Sequence, residues 1–372
     1  MKKHILLVEP NYYSQYPPIG LLKLSTFHKN KGNTTELVTK NKFPKKAPDI
    51  VYVTSLFTWA WKPVWKAVRT FKAWFPDSEL WLGGLYASLL PDHAKLSGVD
   101  RIYQGIFGEA EDLMPDYNLV PDWNGSIIFA SRGCNNKCVY CVVPRLEGKI
   151  HSCKKSVKHL IWPNHSKVIF FDNNILSSPH WKAIFDEIIE LGKKVDFNQG
   201  LDSRLMSDEA AQKISKMNIK RVRLAYDRPS QRQFVKKAIT RLYENGISRR
   251  KILVYTLYNF TESPDEFFGR VRDILIWRAV CYPMRFQPCD TLQKDSYVSK
   301  KWTEEELGKV QSSRRVIGYG GAFPAYKGLV KKFEKASGFE EAFTLWSAKK
   351  KEPKPSVVDI HQTKLLEKER HS

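Results

Sequence analysis

Apolar and polar positions along the first part of the chain alternate in the way that strands and helices alternate in a parallel α/β fold. The run 4–10 is apolar and ends at Pro10, and the segment 19–32 has helical periodicity closed by Gly32. The pattern predicts a helix over 62–75 and further strands at 35–38, 49–57, 79–84 and within 99–112. Repeated β–α units with short connections predict a doubly wound, Rossmann-like parallel sheet over residues 1–120, in which ligands bind at the carboxyl ends of the strands.

A second α/β pattern begins at residue 121. Strand-like runs recur at 126–131, 167–173, 194–200, 220–227, 251–258 and 282–288, with helical segments at 179–192, 207–217, 230–245 and 263–279. Six strands with intervening helices predict a curved parallel sheet or partial barrel over residues 121–295. Helical periodicity at 303–316 and 325–335 predicts a small helical extension over 296–348. Residues 349–372 are charged and contain two prolines, which predicts a flexible tail.

Composition narrows the class of protein. The chain has 372 residues, 42% of them hydrophobic, which indicates a globular protein with room for two cores. No apolar run reaches the roughly 18–20 residues that span a bilayer, and the apolar run after Lys3 is shorter than the core of a signal peptide. We therefore expect a cytoplasmic location and no membrane partner.

The net charge is +22, from 61 Lys and Arg against 39 Asp and Glu. Such an excess favours a polyanionic partner, such as tRNA or DNA, because each neutralised phosphate releases counterions. Helical spacing places Arg232 and Lys236 on one face beside Asp227, at the predicted barrel mouth. The alternatives are a protein substrate and a basic surface that only keeps the chain soluble.

The chemistry is concentrated in one cysteine segment. Cys134, Cys138 and Cys141 have C-x3-C-x2-C spacing directly after a predicted strand. Three thiolates can bind three irons of a [4Fe–4S] cluster and leave the fourth iron open. A zinc site is the alternative and would need a fourth ligand nearby, for which His151 and Cys153 are the candidates. The single cysteines Cys153, Cys281 and Cys289 are predicted to be small buried hydrophobic residues, unless Cys281 or Cys289 faces the barrel mouth.

The segment CNNKCVYC resembles the signature of the radical S-adenosylmethionine (SAM) superfamily, including the aromatic Tyr140 before the last cysteine. The resemblance implies that the open iron holds the amino and carboxylate groups of SAM. Reduction by an external donor of the flavodoxin or ferredoxin type then yields a 5′-deoxyadenosyl radical, which removes a hydrogen atom from a C–H bond. The positions that the resemblance assigns to SAM are Tyr140, Asp172, Asn173, Asn174, Asn198, Gln199, Arg204 and Arg223, with Asp227 ending the strand of Arg223. Polar residues at strand ends can equally cap the next helix.

The N-terminal region resembles the cobalamin-binding Rossmann domain that precedes the core in many members of this superfamily. The shared segments are PPIGLLKLS (17–25), VTSLF (53–57), LGGLYASLLPD (82–92) and GIFGEAED (105–112). The resemblance implies a cobalamin site at Ser55, Leu56, Gly83 and Gly84. The motif D-x-H-x-x-G that supplies a cobalt ligand elsewhere is missing after the first strand, and relatives without it either bind cobalamin or keep only the domain. The rings of Phe57, Trp59, Trp61 and Tyr86 can form a face for the cofactor or fill its space.

The leading hypothesis is radical-based modification of a macromolecular substrate, with C-methylation through cobalamin as the preferred version. The alternatives are a cobalamin-free radical SAM enzyme and a non-catalytic nucleic-acid-binding protein with a structural metal. Methylthio transfer is disfavoured, because that family has further cysteines in its N-terminal domain and none precedes Cys134 here. In the helix at 62–75, Trp65, Val68 and Trp74 are predicted to belong to the core rather than to a base-stacking platform.

Overall fold

The computed structural model describes residues 2–345, and the tail predicted over 349–372 lies outside them. The N-terminal strands are β1 (His4–Glu9), β2 (Thr34–Thr39), β3 (Ile50–Ser55), β4 (Glu79–Gly84) and β5 (Arg101–Ile102), and the helices are α1 (Ile19–Asn30), α2 (Trp61–Trp74), α3 (Leu85–Leu89) and α4 (Pro91–Lys95). The strands form one parallel sheet in the order β2-β1-β3-β4-β5. This order places a topological switch point between β1 and β3.

The strands of this sheet are apolar on both faces, and helices therefore cover both. Leu6 and Val53 of the sheet lie in one apolar cluster with Val68 of α2. Ile5 lies in a separate cluster with Leu21 of α1. The core position predicted for Val68 is confirmed, whereas Trp74 at the end of α2 is 39% exposed and is not a core residue.

The second unit is also a parallel α/β assembly. Its strands are β6 (Ser126–Ile128), β7 (Lys167–Phe170), β8 (Lys194–Phe197), β9 (Asn218–Ile219), β10 (Val222–Ala225), β11 (Ile252–Tyr258) and β12 (Val280–Arg285). They form the ladders β6-β7-β8-β9 and β10-β11-β12. A backbone hydrogen bond of 2.8 Å from Leu201 to the Arg223 carbonyl joins the two ladders. All six predicted strands are confirmed, with β10 as the fourth, and β9 is a short additional strand directly before the predicted segment 220–227.

The helices of this unit follow the predicted segments closely. They are α5 (Val143–Leu146), α6 (Trp181–Leu191), α7 (Asp208–Ser215), α8 (Arg232–Glu244), α9 (Pro264–Ile276), α10 (Glu304–Val316), α11 (Lys327–Lys335) and α12 (Phe339–Phe343). Helices α9 and α10 begin at capping boxes, in which Ser263 and Thr303 accept backbone hydrogen bonds from Glu266 and Glu306. The last helices pack on α9, where the Phe267 ring lies 5.5 Å from that of Phe343. No helix among residues 2–345 is long and apolar enough to cross a membrane.

Candidate functional site

The cysteine segment forms a loop that is closed at its base. Arg132 and His151 pair as an isolated antiparallel bridge, and the Cys134 amide donates to the Gly148 carbonyl at 3.0 Å. Between them Gly133 has φ +72°, and a Cβ there would lie 2.2 Å from the Lys149 carbonyl oxygen. Only glycine allows this close approach, which sets the direction in which the chain enters the first cysteine. We call residues 131–151 the cysteine loop.

Asp172 anchors the start of this loop. Its carboxylate accepts hydrogen bonds from the Ala130 amide (3.0 Å), the Ser131 amide (2.6 Å) and the Ser131 hydroxyl (2.7 Å). Burial raises the pKa of Asp172 to about 6, although these three donors favour its ionised form. With both oxygens engaged, Asp172 holds the turn into Cys134 rather than facing a ligand, which corrects the role that the sequence assigned to it.

The three cysteines converge on one cavity of about 180 Å³ at the carboxyl ends of the core strands. We call it the cysteine cavity. Five of the residues predicted to contact SAM also line it: Tyr140, Asn173, Asn174, Gln199 and Arg204. The side chains of Asn136, Asp202 and Asp227 line it as well. Asp172, Asn198, Arg223 and the N-terminal residues Ser55, Leu56, Gly83 and Gly84 do not line this cavity.

The thiols are close enough to affect each other. Burial raises the pKa of the Cys141 thiol, and the nearby Cys138, Cys134 and Cys289 sulfurs raise it further, although part of Cys141 faces solvent. Cys134 Sγ accepts weak hydrogen bonds from the Asn136 amide (3.4 Å) and from Asn174 Nδ2 (3.6 Å). Donors of this kind stabilise a thiolate, the form that binds iron.

The arrangement fits an iron–sulfur cluster better than a single metal ion. Within residues 2–345 no group of three or more His, Cys, Asp or Glu side chains is arranged to hold one ion. A zinc ion needs its ligands at about 2.0–2.3 Å from one point, whereas a cluster takes one thiolate at each of three separate irons. The proposed fourth zinc ligands are engaged elsewhere: His151 Nδ1 contacts the Ser152 hydroxyl at 2.8 Å and Cys153 Sγ points to the His151 carbonyl. The zinc alternative is therefore not supported.

Asp202 organises one wall of the cysteine cavity. It accepts two hydrogen bonds of 2.8 Å from Arg204, one of 2.8 Å from Asn136 Nδ2 and one of 3.1 Å from Asn174 Nδ2. Burial opposes ionisation of Asp202, but these hydrogen bonds and the charge of Arg204 outweigh it and lower the pKa. The sequence interpretation named Arg204 and missed Asp202 and Asn136. The opposite charges at positions 202 and 204 were the available signal.

Asn174 carries the clearest sign of a missing ligand. The side chain is 3% exposed, and its Oδ1 has no hydrogen-bond partner among residues 2–345. Its Nδ2 donates to Asp202, so the amide orientation is fixed and Oδ1 is left as a buried acceptor at the cavity. A buried polar atom without a partner costs about 1–3 kcal/mol, which a ligand that donates a hydrogen bond would recover.

Tyr140 forms the opposite wall. Its hydroxyl donates to Asp227 Oδ2 at 3.0 Å, and Asp227 Oδ1 accepts from the Leu257 amide at 2.9 Å. Burial raises the pKa of Asp227 despite these donors, and burial followed by the charge of Asp227 raises the pKa of Tyr140. Gln231 Oε1 accepts from the Asp227 amide at 2.7 Å, a contact that the sequence did not indicate.

The side chains of two residues predicted to contact SAM make contacts within the protein. Asn198 Oδ1 accepts a 2.8 Å hydrogen bond from the Tyr16 hydroxyl, whose ring packs edge-on against Phe171. Asn198 therefore connects the core to the N-terminal unit. Arg223 forms an ion pair with Asp196 on the neighbouring strand and also donates to the Phe197 carbonyl. Both residues follow or lie near the end of strands as expected, and their side chains make contacts between elements of the structure.

The carboxyl end of β3 faces the core. Thr58, just after β3, donates to the carbonyls of Cys289 (3.2 Å) and Thr291 (2.5 Å). Trp61 Nε1 donates to the Leu292 carbonyl at 3.2 Å. Segment 289–292 in turn lies beside the cysteine loop, since Asp290 pairs with Arg145 at 3.7 Å.

Three of the residues predicted to contact cobalamin contact one another. The Ser55 hydroxyl donates to the Gly83 carbonyl at 2.7 Å. Gly84 has φ +96°, and a Cβ there would lie 2.1 Å from the Ser55 carbonyl oxygen. The glycine pair is thus explained by the packing of β4 on β3, with half-buried Leu56 in the turn that follows. Cobalamin contact at these four positions stays a prediction.

A buried ion pair joins the two units directly. Arg132, beside Cys134, donates to both oxygens of Glu111 at 2.7 and 2.9 Å, and its guanidinium lies 3.3 Å from the centre of the Phe129 ring. Lys23 Nζ approaches the same carboxylate at 3.4 Å. Burial alone would raise the pKa of Glu111, but Arg132 outweighs burial and lowers it.

Comparisons with known proteins agree with this architecture. No protein-family model matches the chain. Its curated relatives include the ribosomal protein uS12 methylthiotransferase RimO of Helicobacter acinonychis, which is 26% identical over 140 residues, and the RimO of Helicobacter pylori at the same identity and length. The match covers 36% of this chain and 31% of the H. acinonychis protein, so the chain spans about a third of the length of that relative.

Among solved structures, the chain is similar to the radical SAM methyltransferase TsrM of Kitasatospora setae, determined with cobalamin and a [4Fe–4S] cluster bound. The TM-score is 0.62 at 14% identity, over 77% of this chain and 75% of TsrM. A second TsrM structure, with tryptophan and a SAM analogue bound, gives a TM-score of 0.59 over 76% of this chain. At this identity the likeness shows the fold: a cobalamin-type N-terminal domain followed by a radical SAM core. The predicted fold class and the resemblance to the radical SAM superfamily are confirmed.

Proposed function

We propose that this chain, with the fold of a radical SAM enzyme, cleaves SAM reductively at a [4Fe–4S] cluster held by Cys134, Cys138 and Cys141. The observation that carries the proposal is the convergence of these thiols with the unpartnered Asn174 Oδ1 on one cavity at the carboxyl ends of the core strands. In parallel α/β folds this edge is where ligands bind.

The residues of the chain have distinct tasks in this proposal. The three thiolates hold three irons and leave one open to the amino and carboxylate groups of SAM. When bound, the cluster supplies the electron that splits the sulfonium of SAM and yields the 5′-deoxyadenosyl radical. Asn174 Oδ1 would accept a hydrogen bond from an N–H of the SAM amino group, and Asp202 fixes the amide in the orientation that this contact needs. Asp172 and the Tyr140–Asp227 pair hold the cysteine loop at its base and its far side.

The test is anaerobic reconstitution of the full chain with iron and sulfide. We expect about four irons per chain and production of 5′-deoxyadenosine under a strong reductant. Replacing Cys134, Cys138 and Cys141 together by Ala should abolish both. Cys153→Ala is the matched control, because this thiol lies outside the cysteine cavity and contacts only the His151 carbonyl. SAM cleavage that survives the triple replacement would overturn the proposal.

Methylation through cobalamin is a finer version of this function. It is favoured by the likeness to TsrM, which extends over 77% of this chain. Cobalamin that stays with the protein through gel filtration, together with transfer of a labelled methyl group from SAM, would establish this version. Absence of both would leave a cobalamin-free radical enzyme.

The substrate and partners are part of the proposal. RimO, by its name, acts on a ribosomal protein, and the net charge of +22 on this chain favours a polyanionic macromolecule. Methylthio transfer, the reaction in the name of RimO, is disfavoured by the lack of any cysteine before Cys134. An external donor of the flavodoxin or ferredoxin type and a cytoplasmic location complete the proposed setting.

A further inference from the structure

The outer face of α2 forms a groove of about 340 Å³, separate from the cysteine cavity. It is lined by Trp61, Lys62, Trp65, Lys66, Arg69 and Thr70, and we call it the α2 groove. Residues 61, 65 and 69 follow helical i, i+4 spacing, as do 62 and 66, so rings and cations form adjacent rows on one face. The sequence favours a core position for Trp65 over a base-stacking platform, and the structure shows Trp65 half-buried against the core while it also lines this groove.

The two indole rings are held firmly. They meet edge to face with centres 4.7 Å apart. Trp65 Nε1 donates to the Tyr86 hydroxyl at 2.9 Å, and Trp61 Nε1 donates to the Leu292 carbonyl. The His93 ring supports both indoles from behind, at 5.2 and 5.0 Å. Rings fixed in this way lose little side-chain entropy when a flat ligand stacks on them.

The cations of the groove are exposed and free. None of Lys62, Lys66 and Arg69 forms a salt bridge within the part of the chain that the structure describes, whereas Lys72 on the same helix is paired with Asp100 at 2.8 Å. Arg69 lies 5.0 Å from the centre of the Trp65 ring, and Lys62 lies 5.6 Å from that of Trp61. Three unpaired cations beside two rings form a site for a ligand that is both anionic and flat.

We propose that the α2 groove docks a single-stranded nucleic acid. Phosphates would pair with the cations while bases stack on the indoles, the combination that single-strand-binding surfaces use. An acidic peptide would engage the cations but leave the rings without a planar partner. The formal net charge of +22 adds a long-range attraction for the same class of ligand.

The groove is placed to serve the cysteine cavity, and this part of the inference rests on the proposed function. Trp61 contacts Leu292, while Thr58 in the preceding turn contacts Cys289, whose sulfur lies near Cys141. A strand held on α2 therefore has segment 289–292 as its path to the cavity. The cationic face that the sequence predicts on α8 differs from the α2 groove. Its Arg232 is bound to Asp273 by two hydrogen bonds of 2.7 and 2.8 Å.

Fluorescence anisotropy with a labelled oligouridylate, titrated from low to physiological salt, tests the proposal on the full reconstituted chain. The triple variant Lys62→Glu, Lys66→Glu and Arg69→Glu should bind more weakly. Its salt slope should fall by about 2, since each single-strand phosphate contact contributes roughly 0.7. The matched control makes the same charge change at Lys327, Lys331 and Lys335 of α11, three exposed lysines outside both the groove and the cavity. This control should leave most of the slope intact.

The contribution of the rings is tested separately. Trp61→Leu should weaken oligonucleotide binding by about tenfold, because stacking on one aromatic side chain is typically worth that much, and should leave the salt slope unchanged. Trp74→Leu is the control, since Trp74 is exposed on the same helix but lies outside the groove. Thermal unfolding of each variant shows that its fold is retained.

Several outcomes would overturn the docking site. One is that the oligouridylate does not bind at low salt. Another is that the α2 and α11 triple variants lose binding affinity equally, and a third is that the two tryptophan variants do so. Tighter binding of polyglutamate or of duplex DNA would overturn the assignment to single strands. SAM cleavage without substrate is scored in parallel on the unmodified chain. Absence of SAM cleavage together with intact oligonucleotide binding refutes the proposed function alone. SAM cleavage without oligonucleotide binding refutes the docking site alone.

Discussion

The Tyr140 hydroxyl donates a 3.0 Å hydrogen bond to Oδ2 of Asp227, and this bond ties the middle of the cysteine loop to the carboxyl end of β10. Asp227 is 8% exposed, and within residues 2–345 its carboxyl group accepts one other hydrogen bond, from the Leu257 amide. Tyr140 thus has two structural effects at once. It partly compensates a buried carboxyl group, and it fixes the loop segment that carries Cys138 and Cys141.

Tyr140→Phe should loosen the cysteine loop. Losing one hydrogen bond to a buried carboxyl group costs about 1.5–3 kcal/mol, and the reconstituted cluster should be lost to a chelator several-fold faster. Iron release followed by absorbance measures this rate. Tyr226→Phe removes a comparable buried bond, to Asp273 at 3.1 Å, outside the loop. It should lower the melting temperature without speeding iron release, and equal rates in the two variants would contradict the role given to Tyr140.

Asn174→Leu should weaken SAM binding more than it slows cleavage. The change keeps the side-chain volume similar but removes the buried acceptor, and leaving a polar group of SAM without this partner costs about 1–3 kcal/mol. The KM for SAM should rise by about tenfold. Iron content is measured in parallel, because the change also removes the Nδ2 donor to Asp202 and Cys134. Asn245→Leu is the control, because Asn245 lies outside the cysteine cavity and its Nδ2 donates to the Arg241 carbonyl at 2.9 Å. A normal KM in Asn174→Leu would show that Oδ1 faces no ligand.

Thr58→Val should weaken the contact between the two units. The Thr58 hydroxyl is the group that reaches segment 289–292 from the end of β3, and its loss leaves two carbonyl acceptors short of a donor, at a cost of about 1 kcal/mol. Limited proteolysis should cut within segment 286–300 more readily than in the unmodified chain. Thr26→Val, which removes a 2.7 Å bond to the Met114 carbonyl inside the N-terminal unit, should leave that cleavage unchanged. Equal cleavage in all three proteins would mean that Thr58 does not hold this junction.

Glu9 predicts a pH dependence of stability. Burial at the end of β1 raises its pKa from 4.5 to about 7, so the folded chain holds a proton that the unfolded chain has released between these values. The contribution of Glu9 to folding stability is therefore fully present below pH 4.5 and is lost as the pH rises through 7. Glu9→Gln removes the ionisation, and its melting temperature should exceed that of the unmodified chain by more at pH 8 than at pH 5. A constant difference would contradict the assignment.

The order of strands and helices followed from the sequence because each apolar run is bounded by polar residues at the right spacing. The six core strands and the helices between them lie within a few residues of their predicted bounds. What the pattern does not contain is the direction of each side chain at a strand end. Gln199 lines the cavity, whereas its neighbour Asn198 reaches Tyr16, because the chain turns at these two residues directly after β8.

The residues that sequence reasoning missed or misassigned depend on contacts between distant segments. Asp172 was placed at the right strand end, but its partners are backbone groups about forty residues earlier. Asp202 became important only because the fold brings Asn136 and Asn174 to it. A local motif cannot show such contacts, since they depend on how the strands are curved and paired.

The Arg132–Glu111 pair bears on how the chain unfolds. Both side chains are nearly buried, at 12% and 14% exposure, and one belongs to each unit. Separating the units would leave a desolvated guanidinium on one side and a desolvated carboxylate on the other, and breaking such a pair costs about 3–5 kcal/mol. The two units are therefore separate in their architecture but coupled in their stability. Heat or denaturant should melt both halves in one cooperative transition, and excised fragments should be less stable than the whole.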